Sequence, residues 1–129
     1  MEEAEDRTLD VEEYRARHRA NLERQLERTR GTYLMMRESG YTKDQSVRLR
    51  FAYRPAAREA ADALAAYLRR KTKYVVEVGQ EGERWIVHGV TKPARLSASS
   101  LGRWVHWMYT AGYKFDCVFD GWGARVSGQ

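Results

Sequence analysis

Three histidines, one cysteine and a scatter of carboxylates are the side chains of this 129-residue chain that could do chemistry. His18, His88 and His106 lie far apart in the sequence, and no motif links any of them to a nucleophile. The chain has no Gly-x-Ser-x-Gly elbow, Gly-rich phosphate loop or dinucleotide fingerprint. Cys/His spacing of the zinc-binding kind is also missing. Cys117 stands alone, so it has no partner for an internal disulfide, and its apolar neighbours predict a buried thiol rather than a reactive one. Asp116 and Asp120 make a poor acid/base pair, because Asp120 precedes Gly121 and that dipeptide is a turn signal. The residues therefore predict no catalytic group, no metal and no cofactor.

The elements that would carry a binding surface are easier to read. Phe115 to Val126, F-D-C-V-F-D-G-W-G-A-R-V, opens as a short apolar run of the kind that makes a buried strand. Asp120-Gly121 predicts a turn after it. Trp122, between Gly121 and Gly123, is expected to fold back as a plug on the C-terminal edge of the core. Upstream, Val47, Leu49, Phe51 and Tyr53 alternate with Arg48 and Arg50, which predicts a half-buried strand with two arginines on its far face.

At the N-terminus, residues 1–8 have little to bury and are expected to fray. Asp10 and Glu13 read as a capping box, with Leu9 and Tyr14 as the two ends of a hydrophobic staple. A helix is predicted from Asp10 to about Glu38, with Gly40 as its stop and Gly31 as a candidate break. Its apolar stripe is thin: Val11, Tyr14, Leu22, Leu26, Tyr33 and Met36, with His18 among them. Such a stripe suits a helix laid across its own domain, a partner-binding helix, or a helix that pairs two copies of the chain.

Pro55 stands where a first helical residue is favoured. The helix after it buries Ala57, Ala60, Ala61, Leu64, Ala65 and Leu68, and Arg69, Arg70 and Lys71 complement the negative end of its dipole. Lys73 to Val78 predicts a second strand, Gly79 to Gly82 a hairpin turn, and Trp85 to Thr91 a third strand ended by Pro93. Ser97 or Ser99 can cap a helix with Leu101, Trp104, Val105, Met108 and Tyr109 on its core face and Gly112 at its end.

After the N-terminal helix the order is strand, helix, strand, strand, helix, strand. This predicts an α+β, ferredoxin-like βαββαβ fold, an antiparallel sheet with two helices on one face. Ferredoxin-like nucleases that carry an Asp at the end of the first strand would need one near Tyr53, and none is there. The chain divides into an acidic tail and charged helix, residues 1–37, and a domain, residues 38–129. The element order and the segment Phe119-Asp120-Gly121-Trp122-Gly123 resemble the RraB family, regulators of ribonuclease E activity. The family carries a Trp in its third strand, which Trp85 echoes, and the resemblance covers about residues 38–126. The resemblance implies an acidic protein, whereas this chain carries a net charge of +5.

The resemblance implies a non-catalytic protein that binds and restrains a ribonuclease E-type nuclease and so modulates RNA turnover. The contact surface would lie on Asp120, Gly121, Trp122 and Gly123, on the open sheet face with Arg48 and Arg50, or on the N-terminal helix. Two alternatives fit a small basic protein: an immunity or antitoxin-like domain that blocks a cognate toxin, and a direct RNA binder with Trp85 as a stacking ring. No apolar run approaches the roughly 20 residues that span a bilayer. Glu2, Glu3, Glu5 and Asp6 do not suit a signal peptide, so a cytoplasmic location is expected.

Overall fold

The computed structural model describes the backbone of residues 2–126 and the side chains of residues 11–124. It contains α1 (Glu2–Glu38), β1 (Ser46–Pro55), α2 (Arg58–Lys71), β2 (Val75–Glu81), β3 (Arg84–Val90), β4 (Ala94–Arg95), α3 (Ala98–Lys114) and β5 (Cys117–Val126). Every strand pairing is antiparallel. β1 is central: β5 lies along one edge, and β3 followed by β4 along the other, with β2 beyond β3. The α+β class is as expected, with a fifth short strand that the sequence did not announce.

β1 alternates as its residues demand. Val47, Leu49, Phe51 and Tyr53 are buried and Arg48 and Arg50 are exposed. On the buried side, Phe51 and Tyr53 join Ala61, Leu64, Ala65 and Leu68 of α2 and Val105 and Met108 of α3 in one core. Both helices thus cover the same face of the sheet. The Tyr53 hydroxyl donates to the Met108 carbonyl at 2.7 Å, which satisfies a polar group that burial would otherwise penalise.

α1 is helical from Glu2, so Asp10 lies inside the helix and is not its cap. Glu and Ala residues ahead of Asp10 propagate a helix well, and carboxylates suit its positive end. Gly31 does not break α1 either. A single glycine costs about 1 kcal/mol, and the buried Thr29 and Tyr33 on either side tie the helix to the domain. Its end is as expected: Gly40 takes φ 107°, its N–H bonds the Arg37 carbonyl, and the Tyr41 N–H bonds that of Met36. Tyr33, Tyr41, Val47, Leu49, Leu96 and Leu101 form a second core beneath this half of α1.

Pro55 closes β1 opposite Cys117 instead of opening α2, which starts at Arg58 behind an Ala57 that makes no side-chain cap. The hairpin turn falls at Gly82-Glu83, because Gly79, Gln80 and Glu81 continue β2 against β3. Ser97 caps α3, with Ser100 reciprocating. Gly112 does not end that helix. It is buried within it, and a Cβ there would stand 2.6 Å from both the Cys117 carbonyl oxygen and the Tyr53 ring. The chain turns instead at Asp116, with φ 56°.

Candidate functional site

Asp120-Gly121 is not a turn. β5 runs straight through it, and the β1–β5 register shifts there: Ala52 pairs with Gly121 and Tyr53 with Phe119, which leaves Asp120 as the extra residue of a β-bulge. Gly121 accepts φ 127° at this point. The bulge decides where the indole goes. Side chains alternate along a strand, so an unbroken β5 would put Phe119 and Trp122 on opposite faces. One extra residue places both on the face of Tyr53 and Phe51, opposite which they pair.

Trp122 is half-buried there, against both cores. Its indole N–H donates to the Thr29 hydroxyl at 3.0 Å, and its ring meets Trp104 edge to face at 6.5 Å. The expected plug is therefore also a clamp that holds α1 to the edge of β5. The Gln25 amide donates to the Phe119 carbonyl at 3.3 Å and covers a polar group of that edge.

A cleft of about 340 Å³ opens between α1 and the bulge, lined by Gln25, Arg28, Thr29 and Thr32 on one side and by Arg50 and Asp120 to Gly123 on the other. The structure thus brings together Arg50, Asp120, Gly121, Trp122 and Gly123. Arg48 lies outside this cleft, exposed one alternation along β1. Asp120 is held 3.2 Å from Arg54, both half exposed. Arg28 and the polar α1 side chains were missed from the sequence. The available signal was Thr29 and Thr32, a polar interruption between Leu26 and Tyr33 on the stripe that packs on the domain, with Gln25 just ahead of it.

The remaining chemical groups are dispersed. His18 lies against Tyr113 and Tyr109, with ring centroids 3.8 and 4.9 Å away, and its buried Nδ1 has no hydrogen-bond partner among the described residues. Burial, then the charges of His106 and Arg19, lower its pKa. His88 lies on the open sheet face, 3.9 Å from Glu77. Burial, helped by Asp116, pushes the Cys117 thiol up to about 11. Arg69 is engaged by the Val76 carbonyl at 2.7 Å. Among the described residues, no three His, Cys, Asp or Glu side chains are placed to hold a metal ion. Trp85 pairs with Gln80, on the same side as buried Val87, and Arg58 covers its ring at 5.0 Å. It is therefore not a stacking ring on the open face.

A family model described as regulator of ribonuclease activity B matches residues 26–124. This chain belongs to the RraB family. The match begins at Leu26, inside α1 and upstream of residue 38, where the resemblance in sequence begins. The earlier start has a physical reason, since Leu26, Thr29 and Tyr33 supply the contacts that seat α1 on the sheet and α3. RraB membership makes a regulatory role in ribonuclease activity the coarse function of the chain. No curated protein matches it. Among the described residues, no helix is long and apolar enough to cross a membrane.

Proposed function

We propose that this protein is a non-catalytic, cytoplasmic regulator that binds a ribonuclease E-type endoribonuclease and restrains it. The observation that carries the reading is the RraB match over residues 26–124. The match takes in both walls of the cleft formed by α1 and the Asp120 bulge, Gln25 excepted. Arg28 and Arg50 give that cleft two cations against the single carboxylate of Asp120, which suits an acidic partner surface. The strand order β2-β3-β1, with β5 on the other edge of β1, supports a ferredoxin-like arrangement in which residues 38–129 form the domain and α1 an added wall.

The test uses the purified chain and the ribonuclease E-type enzyme of the same host. Binding and slower RNA cleavage are expected, both weakened by Arg28→Glu with Arg50→Glu at an unchanged urea midpoint. No binding and an unchanged cleavage rate would remove the reading. The enzyme-free chain is also titrated with RNA. Tight, steeply salt-dependent binding that Arg48→Glu with Arg50→Glu weakens would favour direct RNA recognition instead.

A further inference from the structure

Two mid-helix glycines of α3 behave differently. Gly112 is required by the fold, because any Cβ there would strike the Cys117 carbonyl and the Tyr53 ring. Gly102 is not required: a Cβ on it would meet nothing within 4 Å. Glycine inside a helix is nevertheless worse than alanine, and nothing among the described residues accounts for it at position 102.

Gly102 lines a groove of about 800 Å³ between α1 and α3. On α3 the lining runs from Ala98 to Thr110, roughly 18 Å at 1.5 Å per residue. Leu26 and Tyr33 line the facing wall. Trp107 also lines it and is 39% exposed, a large ring that the core does not enclose. Arg30, Arg103 and His106 supply the ionisable side chains of the lining other than the Tyr33 phenol, and no carboxylate lines it among the described residues.

We infer that this groove receives a helical segment of the partner, apolar along one face and flanked by Asp or Glu side chains. Bare backbone at Gly102 lets an incoming helix approach α3 closely, as small residues do wherever helices pack tightly. Trp107 is the aromatic anchor of the kind that dominates interface energy. The basic lining selects carboxylates. The trough is open and about three helical turns long, which suits a helix laid in a groove. This inference rests on the regulator reading and places a second contact on α1, whose Thr29 lines both the groove and the cleft.

The test exploits the empty space. Gly102→Leu projects a side chain into the groove from a position whose Cβ has open space around it and improves helix propensity, so its urea midpoint is expected to equal or exceed that of the wild type. Its affinity for the purified ribonuclease E-type enzyme is expected to fall by roughly tenfold or more. Arg103→Glu should do the same and flatten the salt dependence. A photo-cross-linker at Ser99 should capture an acidic, apolar-faced peptide of the enzyme. If the wild type binds and Gly102→Leu binds equally well, the groove inference is overturned and the regulator reading stands. Capture of a basic segment also overturns the inference. No binding by the wild type removes the regulator reading and the inference built on it.

Discussion

Replacing Trp122 and Thr29 separately and together measures how firmly α1 is attached. The indole N–H and the Thr29 hydroxyl stand 3.0 Å apart, and Thr29 is 3% exposed. Trp122→Phe keeps an aromatic ring but leaves that hydroxyl without its donor, which costs about 1–3 kcal/mol. Thr29→Val keeps the shape of the side chain and leaves the indole N–H unpaired in a half-buried site, at a cost of about 1 kcal/mol. The double variant has neither group to leave stranded, so its loss should be smaller than the sum of the single losses by about 1 kcal/mol. Trp122→Ala should cost about 3 kcal/mol, the low end for a core Trp because this ring is only half-buried. Against a total stability of roughly 5–15 kcal/mol, each change is resolvable by urea denaturation at constant slope. Additivity within about 0.5 kcal/mol would show that the two groups are not bonded in solution, and the clamp would be refuted.

Gly112→Ala is expected to destabilise by about 1–3 kcal/mol, because its methyl meets backbone and a buried ring, whereas Gly31→Ala should stabilise by up to about 1 kcal/mol; equal urea midpoints would contradict both packing assignments. Cys117, 2% exposed and with its thiol pKa raised to about 11, should resist a chromogenic disulfide reagent at neutral pH until urea unfolds the chain. Fast stoichiometric reaction in the native state would refute its burial. His18 has a folded pKa below its unfolded value of about 6.5, so the unfolded chain binds the proton more readily. Stability from this group is complete above the unfolded value and declines as pH falls through the folded one. His18→Phe should lose that part of the pH dependence, and an unchanged stability–pH profile would contradict it. A chain that starts at residue 38 is expected to fold cooperatively but to lose more than the roughly 3–5 kcal/mol of one core aromatic, because Leu22, Leu26, Thr29 and Met36 go with buried Tyr33, and absence of a cooperative transition would refute the boundary.

Several parts of this fold were legible because neighbouring residues alone decide them. Val47 to Tyr53 alternates with period two, and any sheet with one dry face must turn those side chains inward. Ser97 can cap α3 from its own hydroxyl, and Gly40 can end α1 from its own backbone freedom. None of these depends on what stands opposite.

Three of the misreadings share one cause. Asp120-Gly121 has the local chemistry of a turn and of a bulge alike, since both use a glycine at positive φ. Only β1, alongside and still pairing at Ala52 and Phe51, carries the strand onward and makes it a bulge. Gly112 resembles a helix stop until Tyr53 and Cys117 are placed beside it. Pro55 resembles a helix start until Cys117 pairs with it. The cleft also needed the second half of α1 laid against β5, which takes in residues far apart in sequence. The amino-acid sequence by itself determined the periodicities, the helix boundaries at Ser97 and Gly40 and the family signature, because these rest on the energetics of adjacent residues. Tertiary structure decided which face Trp122 occupies and what it clamps, because that depends on a pairing partner about 70 residues away, whose approach no local propensity encodes.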